Sequence, residues 1–187
     1  DLTKYFPYKV MHVDTAEADD IIGVLINTLA EDDNLPPTLI LSSDKDFIQL
    51  QKHKEVKQWS PLQKKFIVGD AAESLYDKTI RGDTGDGVPN ILSSDDTLIT
   101  EGKRQTPVTK KKMELWRGQK PEEFCNEAML RNYHRNKTMV DLDETPDSIR
   151  INIVNQYKNQ EAGNRSQLLN YFVDNRLKNL MDVIEEF

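Results

Sequence analysis

Seven carboxylates in three short segments carry most of the chemistry this sequence can do. They are Glu17, Asp19 and Asp20 in Glu17-Ala18-Asp19-Asp20, Asp44 and Asp46 in Ser42-Ser43-Asp44-Lys45-Asp46-Phe47, and Asp83 and Asp86 in Gly82-Asp83-Thr84-Gly85-Asp86-Gly87-Val88-Pro89. Each segment alone has an ordinary structural account. Acids suit the first turn of a helix, and Asp14 with Glu17 resembles a capping box. An Asp after a strand can cap the next helix. Glycines open tight turns. Together the three point to one site. Two carboxylates about 4 Å apart repel by roughly 4 kcal/mol at an effective dielectric of 20, and a bound cation reverses that sign. A set of oxygen ligands suits Mg²⁺ or Mn²⁺ rather than zinc. Two such ions ~4 Å apart are the apparatus of in-line phosphodiester hydrolysis. The three clusters are therefore expected to converge. The third is not an EF-hand loop, which needs acids at alternating positions and a distal Glu. No Gly-rich loop ending in Gly-Lys is present, which disfavours nucleoside triphosphate hydrolysis. His12, His53 and His134 show no metal-binding spacing.

The elements that must position these acids can be read from local signals. Tyr8 to Val13 reads as a short strand, and Ala16 to Ala30 has helical apolar spacing through Ala18, Ile21, Ile22, Leu25 and Leu29. Thr38 to Leu41 reads as a buried strand with Ser42 to Asp46 as the turn at its carboxyl end, where ligands sit in open parallel sheets. Val56 to Ser60 and Phe66 to Val68 read as a hairpin around Pro61. Strand, helix, strand predicts a parallel α/β unit. Beyond it, Asp70 can cap a helix over Ala71 to Ile80, Gly82 to Pro89 is a turn, and 93–109 is loop ending in the cap Thr109. Pro121 opens a helix, and Ser166 to Val173 and Asn175 to Phe187 read as terminal helices.

Composition bounds the rest. The 187 residues carry 32 acids and 25 Lys/Arg, a net charge of −7. The excess acid is in the first half: residues 1–96 hold 18 acids against 10 Lys/Arg, residues 97–187 hold 14 against 15. No apolar run is long enough to span a bilayer, and no secretory leader is visible. The single Cys125 excludes an internal disulfide and fits a reducing compartment. The chain opens Asp1-Leu2-Thr3 without Met, which reads as processed, trimmed or a fragment.

The three acidic segments, in this order, resemble the 5′-nuclease family of flap endonucleases and 5′–3′ exonucleases. Gly82 to Asn90, Gly-Asp-x-x-Asp-Gly-Val-Pro-Asn, is similar to its helix–three-turn–helix DNA-binding turn. Ser42 to Phe47 followed by Val56-Lys57-Gln58-Trp59-Ser60-Pro61, with the ending Tyr171-Phe172-Val173 and Glu185-Glu186-Phe187, resembles the T-even phage ribonuclease H branch. The resemblance implies an α/β fold, a small parallel-sheet, PIN-like nuclease core followed by a helical region with that DNA-binding motif. Residues 1–69 would be the C-terminal part of the core and 70–187 the DNA-binding region. It implies removal of RNA primers and 5′ flaps in DNA replication, with two Mg²⁺ ions for which Mn²⁺ can substitute. Catalytic roles fall on Asp19, Asp20, Asp44 and Asp46, and metal binding on those four with Glu17, Asp83 and Asp86.

The implied partners are DNA with 5′ flaps or RNA–DNA hybrid ends and replication proteins such as a single-strand-binding protein, in the cytoplasm of a phage-infected bacterium and away from membranes. DNA contacts fall on Gly82, Gly85, Gly87 and Val88, and on the basic residues Lys103, Arg104, Lys110, Lys111 and Lys112. Lys52, Lys54, Lys57, Lys64 and Lys65 form a second basic set; either set is equally well a solvated face. The family's preceding strand, its further aspartates and its basic helical arch have no counterpart in these residues, so an incomplete active site is expected. Two other readings stand beside this one: a non-catalytic module of the same fold that holds branched DNA, and a PIN-like endoribonuclease.

Overall fold

The structure is a computed structural model that describes residues 2–187. Its contacts divide the chain into two units, one of residues up to Ile21 together with Asp147–Phe187, the other Ile22–Pro146.

The second unit carries the sheet. Strand β1 (Thr38–Leu41) lies parallel to β2 (Val56–Ser60), with Thr38 opposite Val56 and Leu41 opposite Trp59. Antiparallel to β2 runs β3 (Lys65–Ile67), with Trp59 opposite Phe66. The crossover between the parallel strands contains a 3₁₀ helix, Lys45–Lys52. Val56 and Ile40 sit on the sheet face that packs on Phe47, Leu50 and Ile26, the last from helix α2 (Ala18–Glu31). On the other face Leu39, Leu41 and Phe66 are more than half exposed.

Helix α3 (Ala71–Arg81) starts as expected, with the Asp70 carboxylate accepting from Glu73 N at 2.9 Å. It buries Ile80 against Ile91, Val108, Met113 and Trp116. The last two lie on α4 (Lys110–Trp116), which Thr109 caps. After the short α5 (Pro121–Phe124) comes α6 (Glu127–Val140), whose inward side is polar. Asn132 donates to Ile91 O and Ser93 O, both at 3.0 Å, and Asn136 to Thr79 O at 2.8 Å. Arg135 donates to Pro89 O at 2.7 Å and pairs with Asp95 at 2.5 Å. Thus α6 holds both flanks of the glycine-rich turn through their backbone carbonyls.

In the first unit the core is aromatic. Phe6, just after α1 (Leu2–Tyr5), packs with Leu168 and Phe172 of α8 (Leu168–Asp174). Phe187 closes it, its ring 5.5 Å from Phe172 and 5.7 Å from Phe6.

Four expectations are corrected. Tyr8 to Val13 is not a strand. Its backbone is paired instead by α7 (Asp147–Asn159) and the residue after it: Gln156 donates to His12 O at 2.8 Å and accepts from His12 N at 3.1 Å, and Gln160 donates to Val10 O at 2.7 Å. Side-chain amides do there what a neighbouring strand would. The parallel pair is therefore β1 with β2 rather than one built on 8–13. Helix α2 begins at Ala18, not Ala16, because Thr15 has φ +65° and the chain turns there. The last helix is broken: α9 (Lys178–Met181) is followed by a 3₁₀ turn, Ile184–Glu186. Among the described residues no helix is long and apolar enough to cross a membrane.

Candidate metal centre

The carboxyl end of β1 and the turn after α3 bring three aspartates together. Asp46, Asp83 and Asp86 offer one oxygen each, and those oxygens all lie within 4.8 Å of one another. They line an open depression of about 700 Å³ with Ser42, Ser43, Asp44, Lys45 and Lys78.

The 42–46 loop is held from below. Gln58, 1% exposed in β2, donates to Ser42 O at 3.0 Å and also to Asp44 O. Ser43 Oγ meets Ser60 Oγ at 2.7 Å. Asp44 caps the 3₁₀ helix, its Oδ1 accepting from Asp46 N at 2.9 Å. That is the capping role open to it in the sequence, and Asp44 lines the depression as well. Two residues on, Asp46 sits in the helix's first turn, half-buried. Burial pushes its carboxyl above the usual range; the Lys78 hydrogen bond works against that shift, while Asp44 and Asp83 add to it.

The 82–90 turn is closed by its own backbone. Val88 N donates to Asp83 O at 2.7 Å, and Ile91 N to Ile80 O at 3.1 Å. Asp83 Oδ1 accepts from Gly85 N at 3.0 Å, and Asp83 Oδ2 from Lys78 Nζ at 2.6 Å. The Lys78 hydrogen bond holds the Asp83 carboxyl below its usual range against burial. Lys78 bonds Asp46 as well. Burial works against its charge, but the two carboxylate bonds outweigh burial and hold the ammonium above its usual range. Nothing in the sequence marks Lys78. Its spacing from Asp83 is local, but Asp46 lies 32 residues away.

The donor set is fit for a hard divalent cation: all oxygens, carboxylate-rich, open to water on one side, and already holding one cation, the Lys78 ammonium. Glu17, Asp19 and Asp20 are not members of this group. They belong to the first unit, where Glu17 N donates to Asp20 Oδ2 at 2.9 Å, half of a capping box one turn later than the one read from Asp14.

The glycines and basic residues differ in their surroundings. Gly82 serves the chain itself. It has φ +70°, and a Cβ there would run into Val88 O and lie 2.6 Å from Pro89 C. A Cβ on Gly85 would press on Asp83 Oδ1 at 3.2 Å, and only around Gly87 is there open space. Val88 is 1% exposed, so its side chain belongs to the core and it offers a ligand backbone only. Lys103 is paired with Asp96 at 2.5 Å. Arg104, Lys110 and Lys111 are exposed, and Lys112 is half-buried. The loop before α4 is tied to the glycine turn. Asn90 N donates to Gln105 Oε1 at 2.7 Å, the Asn90 side chain to Thr106 O at 2.9 Å, and Arg81 to Val108 O at 3.1 Å.

Residues 1–79 match the family model of the 5′-3′ exonuclease N-terminal resolvase-like domain, and residues 69–187 match that of the T4 RNase H C-terminal domain. The chain is 34% identical over 194 aligned positions to the ribonuclease H of Enterobacteria phage T4; the match takes in 100% of this chain and 63% of that protein. The fold is similar to that of a mutant T5 5′-exonuclease, with a TM-score of 0.54 and 16% identity over 91% of this chain and 69% of the other. A small sheet with many helices, a 5′-3′ exonuclease match at one end and a C-terminal model covering 69–187 place the chain in one family: it belongs to the T4 RNase H family.

Proposed function

We propose that this chain is the larger part of a Mg²⁺-dependent 5′–3′ exonuclease and flap endonuclease that hydrolyses phosphodiester bonds of RNA primers and 5′ flaps in DNA replication. One observation carries the reading: three aspartates from two separate turns offer oxygens within 4.8 Å of one another in an open depression. Bound there, Mg²⁺ or Mn²⁺ would supply an activated water and stabilisation of the leaving oxygen. Asp46, Asp83 and Asp86 are the residues to hold it, and Asp44 stands beside them to orient a water. Gln58 and Ser60 keep the 42–46 loop in place, and α6 keeps the 82–90 turn in place, so both halves of the site rest on buried supports.

Glu17, Asp19 and Asp20 are assigned to the same chemistry as further metal-binding carboxylates, with Asp19 and Asp20 among the catalytic ones. Gly82 to Asn90 is assigned as the helix–three-turn–helix DNA-binding turn, with residues 1–69 as core and 70–187 as DNA-binding region. The substrates follow as DNA with 5′ flaps or RNA–DNA hybrid ends. The setting follows as the cytoplasm of an infected bacterium, with replication proteins such as a single-strand-binding protein alongside.

Two-metal chemistry needs ligands that fix both ions and a positioned water, and the carboxylates of this chain are read as one side of that cage. The chain also spans 63% of the phage T4 relative. The 187 residues alone are therefore expected to cleave a 5′-flap substrate poorly with Mg²⁺, because misplacing a reacting group by ~1 Å costs about a hundredfold. Joining them to the part of the T4 relative that lies outside the match is expected to restore cleavage. Full cleavage by the 187 residues alone would refute the incomplete-site reading. A joined protein that binds flaps but stays inert would favour a DNA-holding module.

Lys110, Lys111 and Lys112 occupy the first turn of α4, against the helix dipole, with no acid in that turn to balance them. Cations kept in so unfavourable a place fit a phosphate-facing role. The triple Ala variant should bind duplex DNA more weakly at every sequence. Its log–log salt slope should flatten by roughly 0.9 for each phosphate that is no longer neutralised. Unchanged affinity and slope in a salt titration by fluorescence anisotropy would make these lysines a solvated face.

A further inference from the structure

Within the acid cluster, the position a divalent cation would take is already contested. Lys78 Nζ lies 2.6 Å from Asp83 Oδ2 and bonds Asp46 Oδ1 as well. The ammonium and both carboxylates are mostly buried, their side chains 18%, 17% and 25% exposed for Lys78, Asp46 and Asp83. The lysine thus joins the loop after β1 to the turn after α3.

The ordinary account of this lysine is a helix-end cation. It lies in the last turn of α3, where a positive charge suits the dipole. That account explains the residue type and not the direction. A helix-end lysine satisfies the dipole from solvent, whereas Lys78 is drawn in across two elements onto two of the three grouped aspartates.

The proximity of the ammonium to the ligand oxygens favours exchange over coexistence. Asp83 Oδ1 accepts from Gly85 N at 3.0 Å and Oδ2 from Lys78 Nζ at 2.6 Å, so Lys78 holds the oxygen that carries no backbone bond. Asp46 likewise gives Lys78 one of its two oxygens. A Mg²⁺ or Mn²⁺ ion sits about 2.1 Å from its oxygens. An ammonium bonded to the same oxygens would be within roughly 4 Å of it, where like charges repel strongly in a part-buried site.

We infer that Lys78 is the resident counter-ion of the Asp46–Asp83–Asp86 cluster, and that a divalent cation binds there by displacing its ammonium from the two carboxylates. This rests on the metal-centre reading and adds a device to it. The charge of the empty cluster is partly offset by the chain itself, and Lys78 ties the 42–46 loop to the 82–90 turn without metal. Ion binding is then an exchange of one cation for another. The lysine's flexible aliphatic stem lets the head swing out to water while its base stays on α3.

The test is Mn²⁺ binding to the 187-residue chain, followed by the loss of the free-ion electron paramagnetic resonance signal. Wild type, Lys78→Met and Lys78→Gln are compared, with Asp83→Asn as the cluster control. Removing the competitor should tighten Mn²⁺ binding roughly tenfold or more, the scale set by losing charge-assisted bonds and a nearby like charge. The metal-free variants should melt below wild type and gain more than wild type does when Mn²⁺ is added.

Equal or weaker binding by both variants, with binding still lost in Asp83→Asn, would overturn the counter-ion role and leave the metal centre standing. Binding that Asp83→Asn does not weaken would overturn the metal-centre reading, and the inference with it. A measurement on wild type alone guards against variants that fail to fold. The Lys78 ¹⁵Nζ resonance, held in two carboxylate bonds, should be visible without metal and lost or shifted to the free-lysine position on titration with Mg²⁺. A resonance unmoved at saturating Mg²⁺ would refute displacement.

Discussion

Asp46→Asn should abolish divalent-ion binding at the cluster and reduce flap cleavage by the joined, active protein by at least about a hundredfold. The amide is the same size and keeps a carbonyl oxygen, so the 3₁₀ helix that begins at Lys45 should persist. What goes is the charge. Asp46 is one of the three carboxylates grouped among the described residues, and hard cations are bound chiefly by anionic oxygen. Stability should move the other way or hardly at all. Burial already raises the Asp46 carboxyl, so part of its desolvation cost disappears with the charge, offset by a weaker bond to Lys78. The raised carboxyl also sets a sign for pH. Metal binding requires the ionised form, so affinity should begin to fall on acidification at a higher pH than an ordinary aspartate would cause. Calorimetry of Mn²⁺ binding across pH, cleavage assays on the same samples and thermal melting of the metal-free proteins check the binding, cleavage, pH and stability outcomes. Retained metal affinity in Asp46→Asn would remove this residue from the site.

How much of the fold is legible in the sequence depends on where each element finds its partners. Thr38–Leu41, the hairpin of Val56–Ser60 with Lys65–Ile67, and the Asp70-capped helix are written in adjacent residues, and local signals place them to within a residue or two. Helix α6 hides from such a reading for a physical reason. Its buried positions are Asn132, Asn136 and Val140, in steps of four, so two of the three residues facing inward are polar and the apolar period is erased. Helix α7 buries only Ile153 and gives no stripe at all. Tyr8 to Val13 reads as a short strand, but the groups that pair its backbone are Gln156 and Gln160, some 144 and 150 residues away. The site shows the same division. Asp46, Asp83 and Asp86 are visible as acid-rich turns; Lys78 is not, because only folding brings it to Asp46. The convergence of Glu17, Asp19 and Asp20 on the same centre remains part of the proposal.

Gly82→Ala should cost the fold about 3 kcal/mol or more, among the largest losses available to a single methyl group. Two effects add. Gly82 ends α3 with φ +70° and ψ −175°, a region that only glycine enters freely. Independently, the new Cβ would collide with Val88 O and stand 2.6 and 2.7 Å from Pro89 C and O. These are backbone atoms and cannot rotate aside. Nor can the turn open cheaply. It is pinned by Val88 N to Asp83 O at 2.7 Å and by Ile91 N to Ile80 O at 3.1 Å. Val88, Ile80 and Ile91 are at most 1% exposed, and Arg135 grips Pro89 O from α6. Relief must therefore move core residues or drag Asp83 away from Asp46. Gly87→Ala separates strain from collision. Gly87 has φ +75° as well, yet nothing lies within 4 Å of its Cβ position, so only the left-handed penalty of about 1–2 kcal/mol applies. Urea denaturation of both variants beside wild type gives the comparison, and Mn²⁺ affinity reports whether the site has spread. A Gly82→Ala loss no greater than that of Gly87→Ala would mean that the turn yields without cost and that the close approach of Val88 and Pro89 does not hold the aspartates in place.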